Sequence, residues 1–206
     1  QKQDFDDVVL KELNLKSDKE ADLKDWKSFL KKYKNPKRKV EIALVGKYVS
    51  LQDSYKSIAE AFIHAGADLE TEVKIRWVYS GEIEADNIKE TFEGIDGMLI
   101  APGFGDRGIE GKIAAAKYAR ENNIPLLGIC LGMQIMTIEF ARNILGYKKA
   151  NSMEFDTSTP EPVISLMEEQ KNVVDKGGTM RLGAWKCTLK PNSKMLEIYG
   201  SKNISE

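Results

Sequence analysis

The spacing of apolar residues changes near Val40. Before it, apolar side chains fall in two separate groups: Val8-Val9-Leu10 with Leu13 and Leu15, then Leu23, Trp26, Leu30 and Tyr33. The second group recurs every three or four residues, which predicts a helix with one apolar stripe, ended by Asn35-Pro36. Residues 1–39 read as an appendage. Its Trp-bearing helix must pack either on the domain that follows or on a neighbouring one. Lys37-Arg38-Lys39 reads as a solvated linker, since three charges make no electrostatic footprint.

From Val40 short apolar runs alternate with helical spacing. Val40–Val45 reads as a strand closed by Gly46, and Ser54–Ala65 as a helix with Tyr55, Ile58, Ala59 and Phe62 on one side. Glu72–Tyr79 alternates, with Val73, Ile75, Trp77 and Tyr79 on one face. A helix near Glu84–Phe92, a strand at Gly97–Ala101, a helix at Ile109–Asn122, a strand at Pro125–Ile129 and a helix at Leu131–Leu145 follow. Strands separated by helices of about 10–15 residues predict an α/β fold, with a parallel sheet covered by helices on both faces. After Gly146 the pattern loosens. Pro162–Met167 and Trp185–Leu189 read as strands, Met195–Tyr199 as a short helix and Glu168–Lys176 as a charged loop. Gly177–Gly183 reads as a tight turn carrying one cation, Arg181.

Charge and composition narrow this only a little. The 206 residues carry 31 basic and 32 acidic side chains, well mixed, for a net charge of -1, so no nucleic-acid face is implied. No apolar run approaches the ~20 residues of a membrane span, and residues 1–39 hold no signal-peptide core. The two cysteines, Cys130 and Cys187, match no disulfide or metal-ligand pattern, and a reducing cytoplasm suits them.

The chemistry concentrates at Gly128-Ile129-Cys130-Leu131-Gly132. A strand that ends in Gly-x-Cys-x-Gly and runs at once into a helix is a nucleophile elbow. The glycines are needed because strand and helix cross too closely for side chains. Set against this is the ordinary fate of a free cysteine, as a small buried hydrophobe. A second glycine-rich stretch, Ala101-Pro102-Gly103-Phe104-Gly105-Asp106-Arg107-Gly108, leaves the preceding strand. It offers three readings: a phosphate cradle, whose spacing it lacks; a tight turn; or a source of backbone N–H groups for an oxyanion. Beside an elbow the third gains weight, with Gly103 and Leu131 as donors. The general base is harder to find. The single histidine, His64, precedes Cys130 and lies on the first α/β helix opposite Phe62, so it faces solvent. The nucleophile is present and its base is not.

Gly128-Ile129-Cys130-Leu131-Gly132-Met133-Gln134 resembles the nucleophile motif of class I (triad-type) glutamine amidotransferases. Four further stretches resemble the glutaminase domain of the CTP synthase family: Val45–Tyr48 with Asp53-Ser54-Tyr55, Pro102–Gly108, Ala150–Phe155 and Gly177–Gly183. The resemblance implies a flavodoxin-like open sheet, mostly parallel, with helices on both faces. It implies residues 1–39 as the connection from an absent synthetase domain, and 40–206 as an amidotransferase domain incomplete at its C-terminus. Its function would be to hydrolyse the side-chain amide of L-glutamine through a thioester on Cys130 and to supply ammonia for the ATP-dependent amination of UTP to CTP. Carried over, Gly103 and Leu131 stabilise the oxyanion, and Gly103, Phe104, Gln134, Glu154 and Arg181 bind glutamine. Arg181 suits the α-carboxylate and Glu154 the α-ammonium. No cofactor is expected in this domain. The parent enzyme would use ATP and Mg2+, with GTP as activator near Phe104 and Arg107, and would be a cytoplasmic homo-oligomer without nucleic-acid or membrane partners.

Two departures stand out. Pro102 occupies a position where the family usually has glycine, and the family's His and Glu would follow Glu206. Another class I amidotransferase, another thiol hydrolase of flavodoxin-like fold, and a glutamine-binding module without turnover therefore stay open beside the glutaminase.

Overall fold

A computed structural model describes residues 4–16, 22–167 and 184–205. The chain divides into two compact units, 1–163 and 164–206.

The larger unit is built on four parallel strands: β1 (Arg38–Gly46), β2 (Thr71–Tyr79), β3 (Gly97–Ile100) and β4 (Leu126–Gly128), in the order β2-β1-β3-β4. Alternate residues of β1 and β3 face opposite layers. Ala43, Val45, Met98 and Ile100 pack against helices α5 (Ile109–Glu121) and α6 (Leu131–Asn143), together with Phe92 of the short α4 (Ile88–Phe92). Leu44, Leu99 and Ala101 face the other way, where Tyr55 is buried and Ile58 and Phe62 of α3 (Lys56–Asp68) pack. Strands buried on both faces must be apolar throughout, which is why β1 and β3 read as continuous runs. The expected parallel sheet covered on both faces is thus what the chain forms.

Register sets the carboxyl ends of the strands level: Gly46 pairs with Tyr79, Val45 with Ile100, and Ile100 with Gly128. The strand order reverses between β1 and β3, and ligands of open α/β sheets bind outside the carboxyl ends at such a point.

Several boundaries differ from the sequence reading. The helix expected from Glu84 begins only at Ile88. Asn87 accepts the Glu84 N–H at 3.0 Å and donates to the Glu82 carbonyl at 2.7 Å, diverting that backbone into a turn. Arg38 and Lys39 belong to β1 rather than to a solvated linker. Lys37 and Lys39 pair with Glu70 and Glu72 at 2.7 and 2.8 Å across the β2 edge. Short elements also appear where the pattern named none: α1 (Phe5–Glu12), and β5 (Ala150–Ser152), which pairs with β6 (Glu161–Ile164).

The Trp-bearing helix is α2 (Lys24–Lys34), and it packs on α3. Its contact is made by Phe29, whose ring lies 5.2 Å from that of His64, and by Lys32, which pairs with Asp68 at 3.1 Å. Trp26 and Tyr33, the residues of the expected stripe, stack on Phe29 and remain half exposed.

In the smaller unit, β7 (Lys186–Thr188) pairs antiparallel with β8 (Asn203–Ser205). Between them runs α7 (Lys194–Tyr199), capped by the Ser193 hydroxyl and ended at Gly200 with φ 63°. The expected loop Glu168–Lys176 and turn Gly177–Gly183 lie outside the described residues.

Candidate active site

Cys130 stands at the apex of the two-residue turn, Ile129-Cys130, between β4 and α6, with φ 53° and ψ -107°. A left-handed backbone on a non-glycine residue costs on the order of 1–3 kcal/mol and persists where the surroundings enforce it. Here the enforcement is visible. A Cβ on Gly128 would run into the Gly132–Met133 backbone, and one on Gly132 would meet the Ile100 carbonyl. Both flanking positions admit only glycine, so strand and helix touch backbone to backbone. The alternative of a buried cysteine is corrected by the exposure of Cys130. Its thiol sits at the N-terminus of a 13-residue helix, where the peptide dipoles favour negative charge.

Leu131 is buried and opens α6, and its side chain faces the loop that leaves β3. A Cβ on Gly103 would lie 3.5 Å from Leu131 Cδ2, so the two proposed oxyanion donors are neighbours. Neither the Gly103 N–H nor the Leu131 N–H finds an acceptor among the described residues. Both are therefore available to an oxygen that acquires charge.

The loop itself is held from beneath by two buried lysines. Lys47, 5% exposed at the end of β1, donates from Nζ to the Phe104 carbonyl at 2.7 Å and to the Gly105 carbonyl. Lys112, fully buried on α5, donates to the Ala101 carbonyl at 2.8 Å. Burial lowers the pKa of both. For Lys112 it falls to about 8, chiefly by desolvation; the Lys47 charge lowers it further and Cys130 works against the fall. These contacts also explain how proline is tolerated at 102. The Ala101–Pro102 peptide uses only its carbonyl end, and Lys112 takes it, so no N–H is missed.

Glu154 meets the loop from above: its Oε1 accepts the Gly105 N–H at 3.3 Å and the side chain is otherwise exposed. Its backbone is fixed by Ser152, whose buried hydroxyl accepts the Glu154 N–H at 3.1 Å. Phe104 is 77% exposed at the loop tip. Gln134 lies one turn into α6, and its buried Oε1 has no hydrogen-bond partner among the described residues. Tyr55 accounts for the Val45–Tyr48 and Asp53–Tyr55 stretches: its buried hydroxyl accepts the N–H groups of Lys47 and Tyr48 and fixes how β1 ends.

The fold thus gathers Cys130, Leu131, Gly103, Phe104 and Glu154 around the carboxyl ends of β3 and β4, with Gln134 on the first turns of α6. His64 is not part of that cluster; it lies on α3 against Phe29. Arg181 falls outside the described residues. Sequence reasoning missed Lys47 and Lys112. For Lys112 a signal existed, since it interrupts the inward stripe Ile109, Ile113, Ala116 at helical spacing.

The chain is similar to known proteins. A family model described as glutamine amidotransferase class-I matches residues 50–204. The chain is 61% identical over 202 residues to a CTP synthase of Flavobacterium johnsoniae, covering 98% of this chain and 38% of that protein. It is 49% identical over 206 residues to the CTP synthase of Bacillus subtilis, again covering 38% of the relative's length. The chain therefore spans well under half of the curated relatives it matches. Among solved structures, the glutaminase domain of Trypanosoma brucei CTPS with bound acivicin superposes with a TM-score of 0.69. That match has 36% identity and covers 81% of this chain and 65% of that one. With the family model covering most of its length, the chain belongs to the class I glutamine amidotransferases.

Proposed function

We propose that this chain is the glutaminase part of a CTP synthase, releasing ammonia from the side-chain amide of L-glutamine. The observation that carries the reading is the exposed Cys130 on its strained elbow, beside two N–H groups that find no acceptor among the described residues.

The Cys130 thiolate attacks the carboxamide carbon, and the amide oxygen takes the negative charge. The Gly103 and Leu131 N–H groups receive it. The C–N bond then breaks, and the nitrogen takes up the one proton that left the Cys130 thiol, returned by the general base, and departs as ammonia. The acyl group stays on Cys130 as a thioester. Water attacks the thioester, giving glutamate and the free thiol. Glu154 pairs with the substrate's α-ammonium and Arg181 with its α-carboxylate. Phe104 encloses the substrate and Gln134 lends as acceptor an amide oxygen that has no partner among the described residues. On this reading the general base is the histidine that the family carries beyond the position matching Glu206.

In the parent enzyme the ammonia aminates UTP to CTP on a synthetase domain, to which residues 1–39 connect. On this reading ATP and Mg2+ belong to that domain. GTP as activator, homo-oligomeric assembly and a cytoplasmic setting complete the reading. Among the described residues no helix is long and apolar enough to cross a membrane.

A diazo-ketone analogue of glutamine tests it. In a chain carried past Glu206 the reagent should label Cys130 and stop glutaminase turnover. Labelling elsewhere, or no labelling, would sink the assignment. The second reading, a glutamine-binding module without turnover, is favoured by the position of His64 on α3. Binding of glutamine without hydrolysis in the extended chain would select it.

A further inference from the structure

Lys112 takes no part in the steps of amide hydrolysis. It is 0% exposed, on the inward face of α5. Among the described residues its ammonium makes one hydrogen bond, to the Ala101 carbonyl, and forms no ion pair. Burying a cation without a carboxylate is expensive, and a methionine would fill the same inward position at lower cost. The charged groups that face it are Lys47, from the end of β1, and Cys130, from the β4–α6 turn. A Cβ on Gly103 would lie 4.0 Å from its Nζ. The ammonium is therefore placed directly behind the loop that carries one of the two oxyanion donors. Lys47 holds the other half of the same loop through Phe104 and Gly105.

We propose that Lys112 is a positioning residue for amide hydrolysis: its ammonium fixes the Ala101 carbonyl from beneath and sets a positive charge behind the Gly103 N–H, where the oxyanion forms. The inference rests on the glutaminase reading above. The same geometry makes the effect dependent on the protonation of Lys112. A neutral amine still donates to Ala101 but no longer contributes charge. Water is excluded from the position, so the charge is weakly screened.

The experiment compares Lys112→Met with the unaltered chain, both carried past Glu206 and both with Cys187→Ser, since Cys187 is the other exposed thiol. Two rates are measured: glutamine hydrolysis, which develops an oxyanion, and alkylation of Cys130 by iodoacetamide, which does not. Lys112→Met should lower kcat roughly 10- to 100-fold, short of the loss from deleting an oxyanion donor outright, with little change in KM. Alkylation should fall at least about tenfold less than turnover. In the unaltered chain kcat should decline as pH rises through about 8, and the decline should be absent in Lys112→Met. Equal losses in both rates, or an unchanged kcat, overturn the proposal. Should Lys112→Met not fold, the unaltered chain decides: a kcat that holds or rises across the Lys112 titration, followed by NMR of its Nζ, overturns it. An unaltered chain that hydrolyses no glutamine removes the glutaminase reading first, and this inference with it.

Discussion

A Cβ built on Gly128 would stand 2.5 Å from the carbonyl oxygen of Gly132, so the two glycines that flank the nucleophile are in backbone contact. Neither can give way, because one lies in a paired strand and the other in the first turn of a helix. Gly132→Ala and Gly128→Ala should each destabilise the larger unit by about 3 kcal/mol, near the upper end of overpacking costs. A thermal melt checks this. A midpoint unmoved by either change would mean that strand and helix are less tightly apposed.

The strain at Cys130 leads to a prediction of opposite sign. Glycine adopts φ 53° without a Cβ penalty, whereas the native residue is held there by its neighbours. Cys130→Gly should abolish alkylation at this site and leave the fold as stable or stabler by about 1 kcal/mol, the relieved strain exceeding the extra entropy of the unfolded glycine. Chemical denaturation of the two forms gives the comparison.

On α6, Glu139 is 3% exposed and receives two N–H groups of Arg120, the shortest contact being 2.8 Å, while Asn143 donates at 3.1 Å. Arg120→Met strands a buried carboxylate and should cost about 3–5 kcal/mol. The double variant Arg120→Met/Glu139→Met removes the stranded charge and should be markedly more stable than the single one. Urea midpoints for the three proteins test the pair.

Lys112 ties stability to pH in a direction opposite to that of a lysine that gains a partner. Its folded pKa of about 8 lies below the ordinary lysine value of 10.5. Between those values the unfolded chain binds the proton and the folded chain does not, so stability rises with pH across that window. The slope from this one group reaches at most about 1.4 kcal/mol per pH unit. Below pH 8 both states are protonated and the contribution is flat. The difference in stability between the unaltered chain and Lys112→Met, followed from pH 7 to 10.5, should show this slope.

The parts of the fold that were legible in the sequence are those where burial leaves a mark. Ala43, Leu44 and Val45 are all fully buried, and a strand covered on both faces has no polar positions to confuse its reading. The elbow was legible because its glycines are dictated by contact with Gly132 and Ile100, which no other residue satisfies. Lys47 was not legible as a buried group, since lysine in a sequence signals exposure and only the carbonyls of Phe104 and Gly105 reverse that. Lys112, held by the Ala101 carbonyl, left only its place on the inward stripe of α5 as a trace. Phe29 was passed over for a similar reason. An eleven-residue helix with three aromatics offers more than one stripe, and the partner that selects among them, His64, lies 35 positions on. Helix α4 shrank because Asn87 competes for backbone groups that periodicity cannot see.

The contact between Phe29 and His64 gives this chain a built-in reporter. With a single imidazole among 206 residues, its Hε1 resonance records the environment of that ring and nothing else. While the ring rests against Phe29, the aromatic ring current displaces that resonance from its free-histidine position. Any treatment that lifts residues 24–34 away from α3 returns it toward the free value, so one peak follows the attachment of the N-terminal helix in solution.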